Sequence, residues 1–213
     1  MSYERQIYIV DDDKDFRCSL ECLLRAAEYN VVAFDSAPGF LDSLSGLGHG
    51  CILLDVKMPT MSGLELQKRL NETDSVFPVV VISAQGDVQT AVEAMKEGAA
   101  DFIEKPFEPS RLFTALEDAI ALVPQARHRA EAGAAARRIA ALSPREGQVL
   151  DALANGMTAK RIAHALGISI RTVEVHRSRM LDRLGVDKVI EAVKLLVLAT
   201  EIRAHKQPGR MWH

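Results

Sequence analysis

The chain has 213 residues, of which 48% are hydrophobic and 26% charged, a length that suits two domains and a composition ordinary for a globular protein. The net charge of −3 hides an asymmetry, because residues 1–124 carry 10 Lys and Arg against 21 Asp and Glu, whereas residues 125–213 carry 16 against 8. The acidic half could hold a cation or meet a basic partner, and the basic half could meet a polyanion such as DNA, although surface charge also varies between domains without any function.

The three cysteines, Cys18, Cys22 and Cys51, are an odd number without paired spacing, which argues against a disulfide scaffold. Cys18 and Cys22 stand four residues apart on a predicted helix, and we interpret them as packing residues rather than metal ligands. The first apolar run, Ile7–Val10, is too short for a signal peptide, and no apolar stretch is long enough to span a bilayer. These features favour a cytoplasmic location and no membrane partner.

Five short apolar runs predict the strands of a parallel sheet that is buried on both faces, because they lack the alternation of a half-exposed strand. The runs are Ile7–Val10, Val31–Phe34, Cys51–Leu54, Val79–Ile82 and Phe102–Ile103. Segments with helical apolar spacing lie between them. Five strands alternating with five helices predict a doubly wound α/β domain, whose sites lie beyond the carboxyl ends of the strands.

A linker is predicted after Pro124, which follows the last periodic apolar residue of the α/β domain. The segment Gln125–Ala141 is rich in Ala and Arg and contains Gly133, so we interpret it as a partly helical connector. The predicted organisation is therefore an α/β domain over residues 5–123, a linker over 124–141 and a second domain over 142–204.

The second domain is predicted to be all-α, with four helices. Ser143 and Glu146 have the spacing of a capping box that starts the first helix, and Asn155-Gly156 stops it. The second helix is predicted at Ala159–Leu166, the third follows its cap Ser169 and runs to about Leu184, and the last is predicted at Val189–Ile202. The tight turn between the second and third helices is typical of a helix-turn-helix.

Acidic residues follow two of the predicted strands where each strand ends. The first strand runs into Asp11-Asp12-Asp13 and the third into Asp55. Because neighbouring parallel strands end at the same edge of a sheet, these carboxylates converge and repel one another unless a cation lies among them. Hard oxygen ligands with room for water suit Mg²⁺, which could also hold a phosphoryl group against a carboxylate.

Two further polar side chains end strands at the same edge. Ser83 follows the fourth strand with a hydroxyl, and Lys105 follows the fifth with a cation able to pair with an acyl phosphate. Asp13 and Asp15 are interpreted more simply, as turn or helix-cap residues. The shared placement of acids, hydroxyl and lysine at strand ends predicts a phosphoryl site.

Three motifs make residues 5–123 similar to the receiver domains of two-component response regulators. They are Ile9-Val10-Asp11-Asp12, then Asp55-Val56-Lys57-Met58-Pro59 with Ser62-Gly63, and Lys105-Pro106-Phe107. The stretch 86–107 further resembles the FixJ branch, although Gln89 stands where that branch commonly has proline and Ser83 replaces the commoner threonine. The resemblance implies a five-stranded flavodoxin/CheY-like fold.

The resemblance also implies how a metal and a phosphoryl group would be held. Asp55 would be the phosphoacceptor. Asp12, Asp55 and the backbone carbonyl of Lys57 would bind Mg²⁺ (or Mn²⁺), with Asp11 acting through water.

Other matching residues would grip and sense the phosphoryl group. Ser83 and Lys105 would contact its oxygens, and Phe102 would be an aromatic switch that turns inward when Ser83 moves. Lys57 and Gln85 would flank the group and tune hydrolysis of the aspartyl phosphate.

The second domain resembles the LuxR/NarL/FixJ-type helix-turn-helix through residues 142–146, 155–160, 162–163 and 172–177. The resemblance implies contacts to DNA phosphates and to base edges. The phosphate contacts would be Thr158, Lys160, Thr172, Arg177 and Arg179. The base-edge contacts would be Glu174, Val175 and Ser178, with Glu174 able to accept from a cytosine amino group.

The implied partners are a sensor histidine kinase, double-stranded DNA with a palindromic operator, RNA polymerase, and a second copy of the chain after phosphorylation. The last helix, Val189–Ile202, is too apolar to be solvated all round, so we expect it to pack on its own domain and to form a two-fold contact.

Two other functions remain open. Asp11-x-Asp13 after a strand also resembles haloacid-dehalogenase enzymes, which would make the chain an Mg²⁺-dependent phosphohydrolase, although no substrate cap is apparent. A phosphorylation-independent interaction protein would bind DNA equally well with Asp55→Asn or Asp55→Glu. We expect instead a phosphorylation-controlled transcription factor that is no enzyme beyond catalysing its own aspartyl phosphorylation and dephosphorylation.

Overall fold

The computed structural model describes residues 5–73, 77–84 and 88–205, with side chains described as far as residue 200. The chain divides between His128 and Arg129 into two compact units. The first unit is α/β and the second is all-α, which confirms the predicted fold class. Gln85 and the start of the FixJ-like stretch at 86–87 lie outside the described residues.

The first unit alternates strands and helices throughout. Its elements are β1 (Gln6–Val10), α1 (Lys14–Ala26), β2 (Asn30–Phe34), α2 (Ala37–Ser43), a 3₁₀ turn (Leu44–Gly46), β3 (Cys51–Asp55), α3 (Gly63–Glu72), β4 (Val79–Ser83), α4 (Val88–Lys96), β5 (Asp101–Glu104) and α5 (Pro109–Ala140).

The five strands form one parallel sheet in the order β2-β1-β3-β4-β5. Val10 is paired in register with Leu54, and Asp55 with Ile82. The carboxyl ends of β1, β3 and β4 therefore lie side by side, and the residues that follow β1 meet Asp55 at one edge.

Alternate side chains of each strand pack into separate cores on the two faces of the sheet. Ile9 and Leu53 contribute to the core beneath α1 and α5, whereas Tyr8, Val10 and Leu54 contribute to the core beneath α2, α3 and α4. Burial on both faces explains the unbroken apolar runs of the sequence.

The cysteines of α1 do not pack in the core. Leu20 and Leu24 occupy the buried face of this helix, and Cys18 and Cys22 lie on its exposed face. The interpretation of these two cysteines as packing residues is therefore wrong. Cys51 in β3 is fully buried, and that burial raises the pKa of its thiol to about 12.

The linker predicted after Pro124 is part of a helix. Helix α5 continues through Pro124 to Ala140, so the segment Gln125–Ala141 is helical almost to its end rather than in part. Its high alanine content favours this outcome, and Ala132 and Ala135 are buried. A proline removes one backbone donor from a helix but does not always end it.

Up to residue 205, the second unit has four helices after the end of α5: α6 (Pro144–Ala154), α7 (Ala159–Leu166), α8 (Ile170–Leu184) and α9 (Val189–His205). The predicted capping box is present, because the Ser143 hydroxyl accepts from the Glu146 backbone and the Glu146 carboxylate accepts from the Ser143 backbone. Gly167 and Gly185 end α7 and α8 in the left-handed conformation, with φ of 66° and 61°.

Helix α9 packs on its own unit, as the apolar sequence predicts. Ala192 is fully buried with Leu150 of α6 and Met180 of α8 in one apolar cluster. Ile190 and Val197 remain 60% and 54% exposed. Within the described residues, no helix is long and apolar enough to cross a membrane.

Candidate functional site

One ammonium group joins the two buried carboxylates at the carboxyl edge of the sheet. Lys105 Nζ donates to Asp11 Oδ2 at 2.9 Å and to Asp55 Oδ1 at 2.7 Å. Asp11 and Asp55 are 2% and 6% exposed, so the charges meet largely away from water. The sequence places these three residues at the ends of β1, β3 and β5, and the parallel topology brings them together.

The second oxygen of Asp55 is held by the turn that follows β3. The backbone N–H of Lys57 donates to Asp55 Oδ2 at 2.6 Å. Burial raises the pKa of the Asp55 carboxyl, and the hydrogen bond and charge of Lys105 oppose that rise. The carboxylate is thus oriented at both oxygens while its charge is incompletely compensated.

The acidic run after β1 has three different environments. Asp11 Oδ1 accepts from the backbone of Asp13 at 2.8 Å, and Asp12 is exposed beside it. Asp13 Oδ1 accepts from the backbones of Asp15 and Phe16 and so caps α1, as the helix-cap interpretation predicts. This use of Asp13 removes support for the phosphohydrolase alternative, which relies on Asp13 as a second active carboxylate.

The donor set at this edge has the chemistry of a magnesium site. Carboxylate oxygens of Asp11, Asp12 and Asp55 and the carbonyl of Lys57 are hard ligands, and two of the carboxylates already share a cation in Lys105. Across the described ranges, no three His, Cys, Asp or Glu side chains are gathered closely enough to enclose a metal by themselves. The oxygen donors themselves are of the kind that Mg²⁺ takes in proteins, where the ion usually keeps several waters.

Ser83 ends β4 at the same edge, whereas Phe102 lies in the neighbouring strand β5, two residues before Glu104, which pairs with Ser83. Ser83 is 1% exposed, and its backbone carbonyl accepts from the Lys105 backbone at 2.8 Å. Phe102 is half-buried and lines an open groove of about 660 Å³. The groove is also lined by Val88, Ala91, Val92, Met95, Lys96 and Glu104.

Phe16 is a site residue that the sequence analysis did not identify. The Lys105 ammonium lies 3.7 Å from the centroid of the Phe16 ring. The edge of one ring meets the face of the other between Phe16 and Phe107, with centroids 6.1 Å apart and an interplanar angle of 86°. The helical spacing of Phe16 predicts burial, but nothing in the spacing predicts contact with a lysine 89 residues away.

The second unit presents a cationic helix. The side chains on α8 that were predicted to contact DNA are exposed or half-buried: Thr172, Glu174, Val175, Arg177, Ser178 and Arg179. Thr158 and Lys160, at the start of α7, are exposed as well. The opposite face of α8 supplies Val173, Met180 and Leu184 to the core.

Helix α8 forms two kinds of ion pair, one that involves a buried carboxylate and one that is exposed. Arg183 Nη1 lies 3.0 Å from the Glu146 carboxylate, which is 2% exposed, so this pair fastens α8 to α6. Arg177 pairs with Glu174 at 3.4 Å, and both side chains are more than 40% exposed. Because an exposed ion pair contributes little free energy, Arg177 and Glu174 can separate and bind other partners at little cost.

Known protein families match both halves of the chain. Residues 7–117 match the family model "Response regulator receiver domain", and residues 140–196 match "Bacterial regulatory proteins, luxR family". The transcriptional regulatory protein FixJ of Bradyrhizobium diazoefficiens is 44% identical over 93% of this chain and 98% of its own length. The regulator TdiR of Thauera aromatica is 41% identical over 84% of this chain and 79% of its own.

Solved structures give the same result. Full-length FixJ from B. japonicum is 45% identical with a TM-score of 0.54, covering 92% of this chain and 97% of that one. The response regulator StyR is 39% identical with a TM-score of 0.60, covering 90% of this chain and 97% of that one.

The fold, the acidic sheet edge and the exposed cationic face of α8 define a class of signalling protein. In this class an α/β domain is joined to a helix-turn-helix. The chain belongs to the response regulator family, with an N-terminal receiver domain and a C-terminal LuxR-type DNA-binding domain. It is a two-component transcriptional regulator, and its domains imply a sensor kinase and DNA as partners.

Proposed function

We propose that Asp55 is the phosphoacceptor and that its phosphorylation controls DNA binding by the C-terminal domain. The observation that carries this proposal is the pair of buried carboxylates bound to one lysine, Asp11 and Asp55 on Lys105, at the sheet edge of a receiver. In the transfer step, a carboxylate oxygen of Asp55 attacks the phosphorus of a phosphohistidine on the sensor kinase. The new O–P bond forms as the P–N bond breaks, and the histidine nitrogen keeps the electron pair of that bond.

Several residues of the chain assist this step. The Lys57 backbone N–H orients Asp55, and the Lys105 ammonium neutralises charge on the transferred oxygens. The Ser83 hydroxyl contacts a phosphoryl oxygen, and Phe102 turns inward as Ser83 moves. The half-buried position of Phe102 beside an open groove leaves room for both orientations.

Asp12, Asp55 and the Lys57 carbonyl would hold Mg²⁺ (or Mn²⁺), with Asp11 acting through water. When bound, the ion neutralises the charge that develops on the phosphoryl oxygens. The raised pKa of Asp55 supports this assignment, because a carboxylate that burial disfavours gains from a second positive charge.

The proposed domain boundaries are a receiver over 5–123 and a DNA-binding domain over 142–204, joined by the 124–141 segment. On α8, Glu174, Val175 and Ser178 read base edges. The phosphate contacts are Thr158, Lys160, Thr172, Arg177 and Arg179. Their exposure and the amphipathic form of α8 support insertion in a major groove.

Phosphorylation would act by pairing two copies of the chain. Val88, Val92 and Met95 on α4 are 79%, 45% and 50% exposed, which supports a receiver contact that includes α4. Ile190 and Val197 on α9 offer a second apolar contact that would place two α8 helices on a palindromic operator. The bound dimer would then recruit RNA polymerase.

The phosphoacceptor is tested with a small acyl-phosphate donor and Mg²⁺, using the full chain. We expect the wild type to gain a phosphoryl group on Asp55 and Asp55→Asn to gain none. Asp15→Asn is a matched control, because Asp15 is exposed near the same edge and should label normally. Labelling retained in Asp55→Asn would contradict the proposal.

The coupling to DNA is tested by sedimentation and gel shift before and after phosphorylation. We expect the phosphorylated wild type to dimerise and to bind operator DNA more tightly. Equal DNA binding by Asp55→Asn, Asp55→Glu and phosphorylated wild type would favour a phosphorylation-independent protein instead.

A further inference from the structure

We propose that Phe16 is a positioning residue for Lys105 and that its ring holds the ammonium in place while the phosphoryl group arrives and leaves. This inference rests on the proposed role of Lys105 in phosphorylation. Phe16 contacts the lysine and not the phosphoryl group, so its effect on the reaction passes through Lys105.

The Lys105 ammonium has contacts on three sides. It has three N–H donors, of which two point to Asp11 Oδ2 and Asp55 Oδ1 at 2.9 and 2.7 Å. The Phe16 ring lies 3.7 Å away, well within the range of a cation–π contact. With a side chain only 17% exposed, Lys105 has lost much of its hydration, and the ring replaces part of it.

Phe16 is itself held on two sides. Its backbone N–H donates to Asp13 Oδ1 at 3.0 Å, which fixes it in the first turn of α1. Its ring meets Phe107 edge to face, two residues beyond Lys105 along the chain. The helix cap fixes the backbone of Phe16, and Phe107 packs against its ring. The ring therefore offers a fixed apolar face to the Lys105 ammonium.

A cation–π contact differs from a hydrogen bond in the geometry that it demands. Once Asp55 is phosphorylated, the Lys105 ammonium must turn from Asp55 Oδ1 to an oxygen of the phosphoryl group. The hydrogen bond to Asp55 breaks and a new one forms during that turn, whereas attraction to the ring face persists over a range of N–H orientations. Phe16 therefore keeps the cation at the site while its hydrogen-bond partners change.

An aliphatic side chain at position 16 would leave the ammonium equally desolvated and without this attraction. Phe16→Leu keeps the apolar packing and removes the ring, and Phe16→Trp supplies the ring with the strongest cation–π attraction. Phe113→Leu is the matched control, because Phe113 packs against the same core and stacks on Tyr29, not on Lys105.

The test measures the initial rate of labelling on Asp55 by the acyl-phosphate donor with Mg²⁺ in the full-length variants. We expect Phe16→Leu to slow labelling by about two- to thirtyfold, the range of a partly desolvated cation–π contact. Phe16→Trp should label faster than Phe16→Leu, and Phe113→Leu should label like the wild type while unfolding at lower denaturant concentration. In NMR spectra, the Lys105 ε-methylene protons should lose their upfield ring-current shift in Phe16→Leu.

A double-mutant cycle separates positioning from general packing. If Phe16 acts through the ammonium, Phe16→Leu should add no further slowing in a Lys105→Met background. Equal labelling rates for wild type and Phe16→Leu would overturn this inference alone, as would equal slowing by Phe113→Leu. Failure of the wild type to label on Asp55 would overturn the proposed function together with it.

Discussion

Gly63 lies so close to Asp55 that a methyl group on its α-carbon would collide with the Asp55 backbone carbonyl oxygen. The Gly63 backbone N–H also donates to the Val56 carbonyl at 2.9 Å, so the start of α3 is drawn against the end of β3. The glycine thereby fixes the turn whose Lys57 N–H orients the Asp55 carboxylate.

Gly63→Ala should therefore disturb both stability and labelling. The backbone must move to admit the methyl group, which costs about 1–3 kcal/mol in a packed site. We expect a lower urea midpoint and slower acyl-phosphate labelling. Gly46→Ala is the control, since a methyl group there meets only open space, and it should change the free energy of unfolding by less than about 0.5 kcal/mol. Equal midpoints for the two variants would contradict this account.

The raised pKa of Asp55 predicts a pH dependence opposite to that of most aspartates. Burial favours the protonated carboxyl in the folded state, so the folded pKa exceeds the unfolded value near 3.8. Ionised Asp55 then lowers stability above the folded pKa, and the penalty disappears as the pH falls below the unfolded value. Without metal, Asp55→Asn should be more stable than wild type at neutral pH, with an advantage that shrinks on acidification.

Denaturant titrations of wild type and Asp55→Asn, from neutral pH down to below the unfolded pKa of Asp55, measure this difference in the free energy of unfolding. A wild type that is the more stable protein at neutral pH would show that Lys105 overcompensates the burial of Asp55. Added Mg²⁺ should narrow the gap, because the ion binds the carboxylate and not the amide.

Gln67 connects α3 to the end of α4. It is 1% exposed, and its Nε2 donates to the carbonyls of Ala94 and Glu97 at 3.1 Å each. Gln67→Leu keeps the volume but removes one of the two donors at each carbonyl, since Ala94 still accepts from the Ala99 backbone and Glu97 from Asn71. The loss of each hydrogen bond should cost about 0.5–1.5 kcal/mol. Hydrogen exchange at the amides of Gly98 and Ala99, which follow α4, should accelerate. Asn71→Ala should have a smaller effect, because Asn71 is exposed and its one hydrogen bond to the described residues goes to the Glu97 carbonyl.

The placement of the acidic site could be predicted from sequence because it depends on local patterns. A parallel strand ends where its apolar run ends, so Asp11, Asp55, Ser83 and Lys105 must share one edge. The cap on α1 was equally local, since Asp13 acts on residues two and three positions away.

Other features depend on how helices pack, which a single sequence does not specify. The contact of Phe16 with Lys105 requires a particular rotation of α1 on the sheet. The hydrogen bonds from Gln67 to the end of α4 require α3 to pack beside α4. The exposure of Cys18 follows from the same rotation. The segment after Pro124 is more helical than predicted, because helix propensity on both sides of the proline outweighed the loss of one backbone donor.

Arg177 and Glu174 should have different effects on DNA binding although they pair with each other. Arg177→Ala removes the proposed phosphate contact, so affinity should fall by a similar factor on every sequence, and the slope of log affinity against log salt should decrease in magnitude by about one. Glu174→Gln should change which base is preferred at one position of each half-site and leave the salt slope nearly unchanged. Circular dichroism should show both variants folded, since their side chains are exposed on α8.

Binding titrations at several salt concentrations, on an operator and on its single-base variants, measure both effects. Unchanged affinity and salt slope in Arg177→Ala would contradict its phosphate contact, and unchanged base preference in Glu174→Gln would contradict base reading by Glu174.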